Sequence, residues 1–255
     1  MTMADTTVPA GELTKPQFNL FADTLIEQSS MLKEARVIRM ADGEGVADIG
    51  GIVPSAQKHL RSAAVTTPFE LTWDGLDRNT DGSLTDDIIR AMAKQTAGDL
   101  EDIAIQGHTV SSDAFLRSLN GWRSLASLDE GHRTYFGGDP LDRHALGKLF
   151  CALPDAYKRN YSDLRFFCAT GATNMEVYCG VPIIQTPHIP DRNGYAFLTP
   201  RDNLLFGIHH DVRIEKEHDI LTGQNVYAIT ARIAVDFEET DAVVVGINIG
   251  TEEAD

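Results

Sequence analysis

One stretch constrains the fold of this chain more than any other. Between Ser83 and Gly107, the residues Leu84, Ile88, Ile89, Met92, Ala93, Thr96, Leu100 and Ile103 recur on one helical face, a run of about six turns. Ser83 is a good N-cap, Asp86 and Asp87 set carboxylates against the positive end of the helix, and Gly107 stops it. A long helix with a single apolar stripe cannot cover that stripe by itself. Other elements of the chain must lie along it.

The flanking sequence supplies them. Residues 1–16 are polar and read as an extended arm, and from Pro16 the spacing of Phe18, Phe21, Ala22 and Leu25 predicts a first helix. Val37-Ile38-Arg39-Met40 reads as extended. Residues 41–68 have no helical period; Gly43, Gly45, Gly50, Gly51, Pro54 and Pro68 break them into short β-like pieces. A long protruding hairpin fits that composition, with Phe69-Glu70-Leu71-Thr72-Trp73 as its return strand. Beyond the long helix, Ser112 to Ser127 predicts a shorter helical piece. Leu141 to Leu153 predicts another, begun by Pro140 and stopped by Pro154.

After residue 160 the period changes to two. Leu164 to Cys168 and Val181 to Ile184 are predicted strands separated by a turn. Four prolines between 182 and 200 mark an irregular crossing. Val212 to Lys216 and Asn225 to Ile233 alternate around Gly223, an antiparallel hairpin, and Asp241 to Ile249 supplies the last strand. The fold class is α+β, with helices first and sheet later.

Charge narrows the function classes. The chain has 255 residues with 22 Lys+Arg against 38 Asp+Glu, a net charge of −16. Gripping nucleic acid through phosphates requires clustered Lys and Arg, and no basic stretch here has more than two charges. No apolar run reaches the roughly 18–20 residues of a membrane span, and the first residues lack a secretory pattern, so a soluble chain is expected. Cys151, Cys168 and Cys179 form no C-x-x-C pair and read as small buried hydrophobes.

The local motifs are weaker than they look. Asp77, Asn79, Asp81 and Gly82 match the first half of an EF-hand calcium loop, but position 12, where a bidentate Glu belongs, is Ile88. An Asp/Asn/Gly turn leading into a capped helix accounts for the same residues. Gly43, Gly45 and Gly50 are misplaced for a nucleotide loop, so no cofactor is expected. In His209-His210-Asp211 the two imidazoles point to opposite faces of a strand; they read as solvent or interface histidines. No G-x-S-x-G, H-E-x-x-H or Cys/His nucleophile signature occurs. Nothing here argues for an enzyme.

The order of elements is more informative than any single motif. Gly98 to Gly107, Phe115-Leu116 with Asn120-Gly121-Trp122, Gly180-Val181-Pro182-Ile183, and Phe197 to Leu204 with Gly207-Ile208 each resemble segments of the tailed-phage major capsid proteins. The resemblance runs from about residue 15 to 250 and implies the Hong Kong 97-type fold. It implies an N-terminal arm with helix (1–42), an extended E-loop (43–76), and a P-domain including the spine helix (77–140). An A-domain (141–200) and return strands of the P-domain with a C-terminal tail (201–255) complete it.

The function implied is a structural subunit that self-assembles as hexamers and pentamers into an icosahedral shell. Such a shell encloses double-stranded DNA without sequence-specific binding. The same fold also serves encapsulin-like compartments. A separate scaffolding protein, a portal and decoration proteins are the other implied partners, with no membrane. The virion is the implied location, after assembly in the host cytoplasm. Apolar residues of the loop segment, Val46, Ile49, Ile52, Val53, Leu60 and Val65, together with Trp73, are the expected intersubunit contacts.

Overall fold

The computed structural model describes residues 11–40, 46–47, 58–70, 83–127, 132–190, 194–219 and 224–250. Helix α1 is Lys15–Gln28. The Gln17 side chain turns back to accept the Thr14 N–H at 3.0 Å, and Pro16 costs nothing in the first turn, where no N–H partner exists. Phe18, Phe21, Ala22 and Leu25 are all buried, and this stripe packs on α2, Ser83–Gln106. At 24 residues α2 is about 36 Å long. Ile88, Ile89, Met92, Ala93, Leu100 and Ile103 are buried as the stripe predicts, but Ala104 and Ile105 are fully buried too. The end of the helix is therefore buried over a wider arc than the stripe predicts, with Asp102 and Gln106 left partly exposed.

What encloses it also breaks the helix expected at Ser112–Ser127. Gly121 lies so close to the end of α2 that a Cβ there would sit 2.6 Å from the Ala104 carbonyl oxygen. Its N–H donates to the Gly107 carbonyl at 2.8 Å. The chain accordingly makes a single 3-10 turn at Leu116–Ser118, extends through Leu119, and restarts as α3, Trp122–Ala126. Trp122 is fully buried, and its indole N–H donates to the Asp236 carbonyl at 3.0 Å.

Two sheets flank this helical layer. The first runs β1 (Gly11–Glu12), β12 (Arg213–Asp219), β13 (Gln224–Phe237), β11 (Leu204–His209) and β2 (Arg36–Met40). On the other side of β13 lies β5, Ser62–Glu70, paired from Ser62↔Ala234 to Glu70↔Val226. The return strand thus begins at Ser62, seven residues before the Phe69 start that the alternation suggested. All pairings are antiparallel except β2 with β11. A small separate hairpin joins β3 (Val46–Ala47) to β4 (Lys58–His59).

The second sheet runs β6 (Arg133–Tyr135), β14 (Val244–Ile249), β10 (Gly194–Pro200), β7 (Leu164–Ala169), β9 (Val181–Thr186) and β8 (Val177–Tyr178). The expectations for this sheet are refined here. β7 and β9, expected as strands separated by a turn, are parallel neighbours with the short β8 between them in the chain. The proline-rich stretch contains two regular strands, with Pro182 inside β9 and Pro200 ending β10. The last strand, grouped with the return strands of 201–255 in the expectation, lies in the second sheet, beside β6 and β10. Residues 133–135 and 244–249 therefore belong with 164–200. Helix α4, Arg143–Ala152, starts later than Pro140: the Asp142 carboxylate caps it by accepting the Ala145 N–H at 2.7 Å. Pro140 is used in a bridge to Gly250.

Candidate intersubunit surface

The β3–β4 hairpin leaves the first sheet between β2 and β5, and its root is built into that sheet. Met40, Leu60, Leu205 and Ala234 form a small buried cluster of their own, with Ile38 against it. Gly207 of β11 makes room for Met40: a Cβ at 207 would stand 2.5 Å from Met40 Sδ. This arrangement corrects two of the expected contact residues. Leu60 is 3 % exposed and Val65 2 % exposed, both inside the chain's own core. They are committed within the subunit and are not left over for a neighbour. Val46 is on β3, paired through its backbone with His59. Ile49, Ile52, Val53 and Trp73 lie outside the described residues, as do Asp77, Asn79 and Asp81.

The N-terminal arm is also partly committed. Gly11 and Glu12 add a short edge strand to β12, the Glu12 carboxylate meets Arg213 at 2.9 Å, and the Leu13 N–H donates to the Val212 carbonyl. Of the extended arm expected over residues 1–16, the described part from Gly11 is thus tied to the first sheet. Of the histidine pair, His209 is buried rather than solvent-facing, and His210 packs edge-on against Phe18 at 4.3 Å. Strand β11 ends at His209, so the period-two rule does not extend to His210. Asp211 pairs with Arg232 at 3.4 Å.

The cysteines split. Cys168 is buried in β7, where burial pushes its thiol up to about 12. Cys151 and Cys179 are exposed, against expectation, and all three are free thiols. Cys179 sits in the left-handed region with φ 50° in the turn from β8 into β9.

The exposed apolar side chains were missed by sequence reasoning. Among the described residues, Val110 (79 % exposed), Tyr135 (70 %), Val177 (55 %) and Tyr161 (48 %) are the large hydrophobics left in solvent. Tyr135 and Val177 lie on β6 and β8, the two edge strands of the second sheet. Edge strands carry a row of unpaired backbone groups and are natural places for another chain to attach. Tyr161 packs against Phe150, which in turn meets Tyr178 of β8. No period could have singled these out, because each stands alone in a polar turn or a two- to three-residue strand. Among the described residues no group of three or more His, Cys, Asp or Glu side chains could hold a metal ion. The surface is equipped for contact.

No protein-family model matches the chain. A relative named as a prophage capsid protein, YqbE of Bacillus subtilis (strain 168), is 26 % identical over an alignment covering 94 % of each protein. Among solved structures, a chain of the satellite phage P4 procapsid, which includes the size determination (Sid) protein, is similar with a TM-score of 0.66 at 16 % identity. That match covers 91 % of this chain and 99 % of the other. A virus-like particle from Pyrococcus furiosus matches with a TM-score of 0.56 at 15 % identity, covering 91 % and 97 %. The SrpI encapsulin of Synechococcus elongatus PCC 7942 matches with a TM-score of 0.53 at 12 % identity, covering 100 % and 95 %.

Proposed function

We propose that this chain, which has the Hong Kong 97-type capsid fold, is the structural subunit of a phage or prophage shell. Its work is self-association rather than catalysis. The observation that carries the reading is the extent of the likeness. Backbone similarity to the P4 procapsid chain and sequence similarity to YqbE each span more than nine-tenths of the chain, so the likeness is to the whole and not to one segment.

In this reading the β3–β4 hairpin is the E-loop, α2 the spine helix, the first sheet the P-domain, and the second sheet with α4 the A-domain. Hexamers and pentamers of the subunit close an icosahedral shell in the host cytoplasm and enclose double-stranded DNA. The net charge of −16 suits a container that holds DNA without gripping it. A scaffolding protein, a portal and decoration proteins would be further partners.

The likeness to an encapsulin favours one second reading, a compartment built from the same subunit around a protein cargo. Electron microscopy of the expressed protein, followed by analysis of what purified particles contain, tests both. Closed particles containing nucleic acid support the capsid reading. Particles that contain protein cargo and no nucleic acid support the compartment. Protein that stays monomeric at every salt and protein concentration overturns both.

A further inference from the structure

The connector between α1 and β2, residues 29–35, is held in place by charge from two directions. Met31 and Leu32 are fully buried in it. Toward the second sheet, Glu34 accepts a hydrogen bond from Arg165 Nε of β7 at 2.9 Å. Toward α2 it meets Glu101, a carboxylate only 1 % exposed. Glu101 accepts the Ser30 N–H at 3.0 Å, the Ser30 hydroxyl at 2.9 Å and the Met31 N–H. The Ser30 hydroxyl is also 2.7 Å from that of Thr186 at the end of β9.

His188, in the turn after β9, closes the cluster. Its Nε2 is 3.4 Å from Glu101 Oε2, and its Nδ1 is 2.9 Å from Asp102 Oδ1. Gln106 donates to the His188 carbonyl at 2.8 Å, and the His188 N–H lies 3.3 Å from the Thr186 hydroxyl. A neutral imidazole has one N–H and one lone pair. Here both ring nitrogens face carboxylate oxygens, so a neutral ring would turn its lone pair toward a negative oxygen on one side. A proton on each nitrogen satisfies both.

The surroundings reinforce that demand. The charges acting on the ring are Asp102, Glu101 and Asp99, all from α2. The connector presents Ser30 and backbone N–H groups, and Glu34 is already engaged by Arg165. Beyond them Arg123 of α3 lies over the Tyr195 ring of β10, 4.8 Å from its centroid, and Asp102 acts on Tyr195 as well.

We propose that Glu101, His188 and Asp102 form a proton-dependent latch that fastens both the 29–35 connector and the turn after β9 to α2. With the ring doubly protonated, both carboxylates are bridged. When it loses a proton one bridge fails and the two segments loosen. The sign is fixed by direction: the hydrogen bond to Asp102, opposed by burial and aided by the neighbouring carboxylates, raises His188 above its ordinary value. Its stabilisation is complete below the unfolded value of about 6.5 and is lost as pH rises through the higher folded value. The latch is internal to one subunit and stands or falls independently of the shell reading.

The test uses the full chain. Hydrogen exchange, corrected for the intrinsic pH dependence, is followed in peptides covering residues 29–35 and 184–190. Protection in both should fall severalfold as pH rises from about 6.5 to about 8.5. In His188→Gln it should be low and independent of pH. Equal protection across the range, or an unchanged pH dependence in the variant, overturns the latch. Ring-nitrogen NMR supplies a readout that a packing role would not move. His188 should be doubly protonated at pH 6.5 in the wild type, and Asp102→Asn should shift its titration to lower pH. A neutral ring at pH 6.5, or a titration unmoved by Asp102→Asn, overturns it equally.

Discussion

Met40 Sδ occupies the space that any side chain at Gly207 would need, 2.5 Å from an ideal Cβ. The two residues are on neighbouring strands, since β2 runs parallel to β11, and together they close the root of the β3–β4 hairpin. The glycine is there for space, because its φ is not in the left-handed region. Gly207→Ala should therefore cost about 1–3 kcal/mol, the usual range for overpacking a core, unless the Met40 side chain can move aside. Met40→Ala added to it should restore part of the loss, because the clash has two partners. Urea unfolding of the two single variants and the double variant measures the coupling. Strict additivity would show that the contact is not what excludes a side chain at 207.

Trp122 links the end of α2 to the first sheet through burial and one hydrogen bond to the Asp236 carbonyl. Trp122→Phe keeps most of the apolar contact but removes the indole N–H that donates to the Asp236 carbonyl, for an expected loss of about 1–3 kcal/mol. Trp122→Ala also opens a cavity and should cost about 3–5 kcal/mol. Thermal unfolding should rank the two in that order.

The cysteines give a chemical test of the burial pattern. Cys168 is buried, with its thiol pushed up to about 12, while Cys151 and Cys179 are exposed. A thiol-alkylating reagent near neutral pH should modify two cysteines of the folded chain and reach the third only on unfolding. Peptide mass spectrometry identifies which. Early modification of Cys168 would contradict the placement of β7.

Helices α1 and α2 were legible because period and boundary signals agreed: the apolar stripe of α1 becomes buried residue for residue. Strand β5 was hidden by its own composition. Pro68 reads as a breaker, yet among the described residues β5 is an edge strand bordered only by β13, where a missing donor is tolerated. The alternation was present, with Val65 and Thr67 buried between exposed Ala64, Thr66 and Pro68. Without that alternation Val65 reads as an intersubunit contact, although it is buried within the chain. Other features had no local signal at all. The entry of Val244–Ile249 into the second sheet, and the meeting of Glu101 with Ser30 and His188, join residues about 45 to 160 positions apart and depend on the fold being complete.

Charge bears on assembly. With −16 on each subunit, many copies brought together repel one another, and salt screens repulsion between exposed groups within about 8–10 Å at physiological strength. Assembly yield, read by sedimentation, should rise from very low to moderate ionic strength. A yield that falls steadily over that range would mean that attractive ion pairs between subunits dominate.

The hairpin decides how much of the loop segment can be removed. Residues 62–70 form β5 in the first sheet, and Leu60 helps close the hydrophobic cluster at the hairpin root. Replacing 46–68 as a block would strip a strand and two core side chains, so the subunit should fail to fold. That failure would say nothing about assembly. The informative change is confined to residues 48–57, which connect β3 to β4 and contain Ile49, Ile52 and Val53. Exchanging them for a short Gly/Ser turn leaves Met40, Leu60, Leu205 and Ala234 untouched, and loop length itself costs little. If those three apolar side chains are buried against a neighbouring subunit, the exchange removes contacts that exist only between copies. The shortened chain should melt within a few degrees of the parent as a subunit, yet give no stable particles by electron microscopy. Normal particles from the shortened chain would take the hairpin out of the interface and leave the edge strands β6 and β8, with Tyr135 and Val177, to account for assembly.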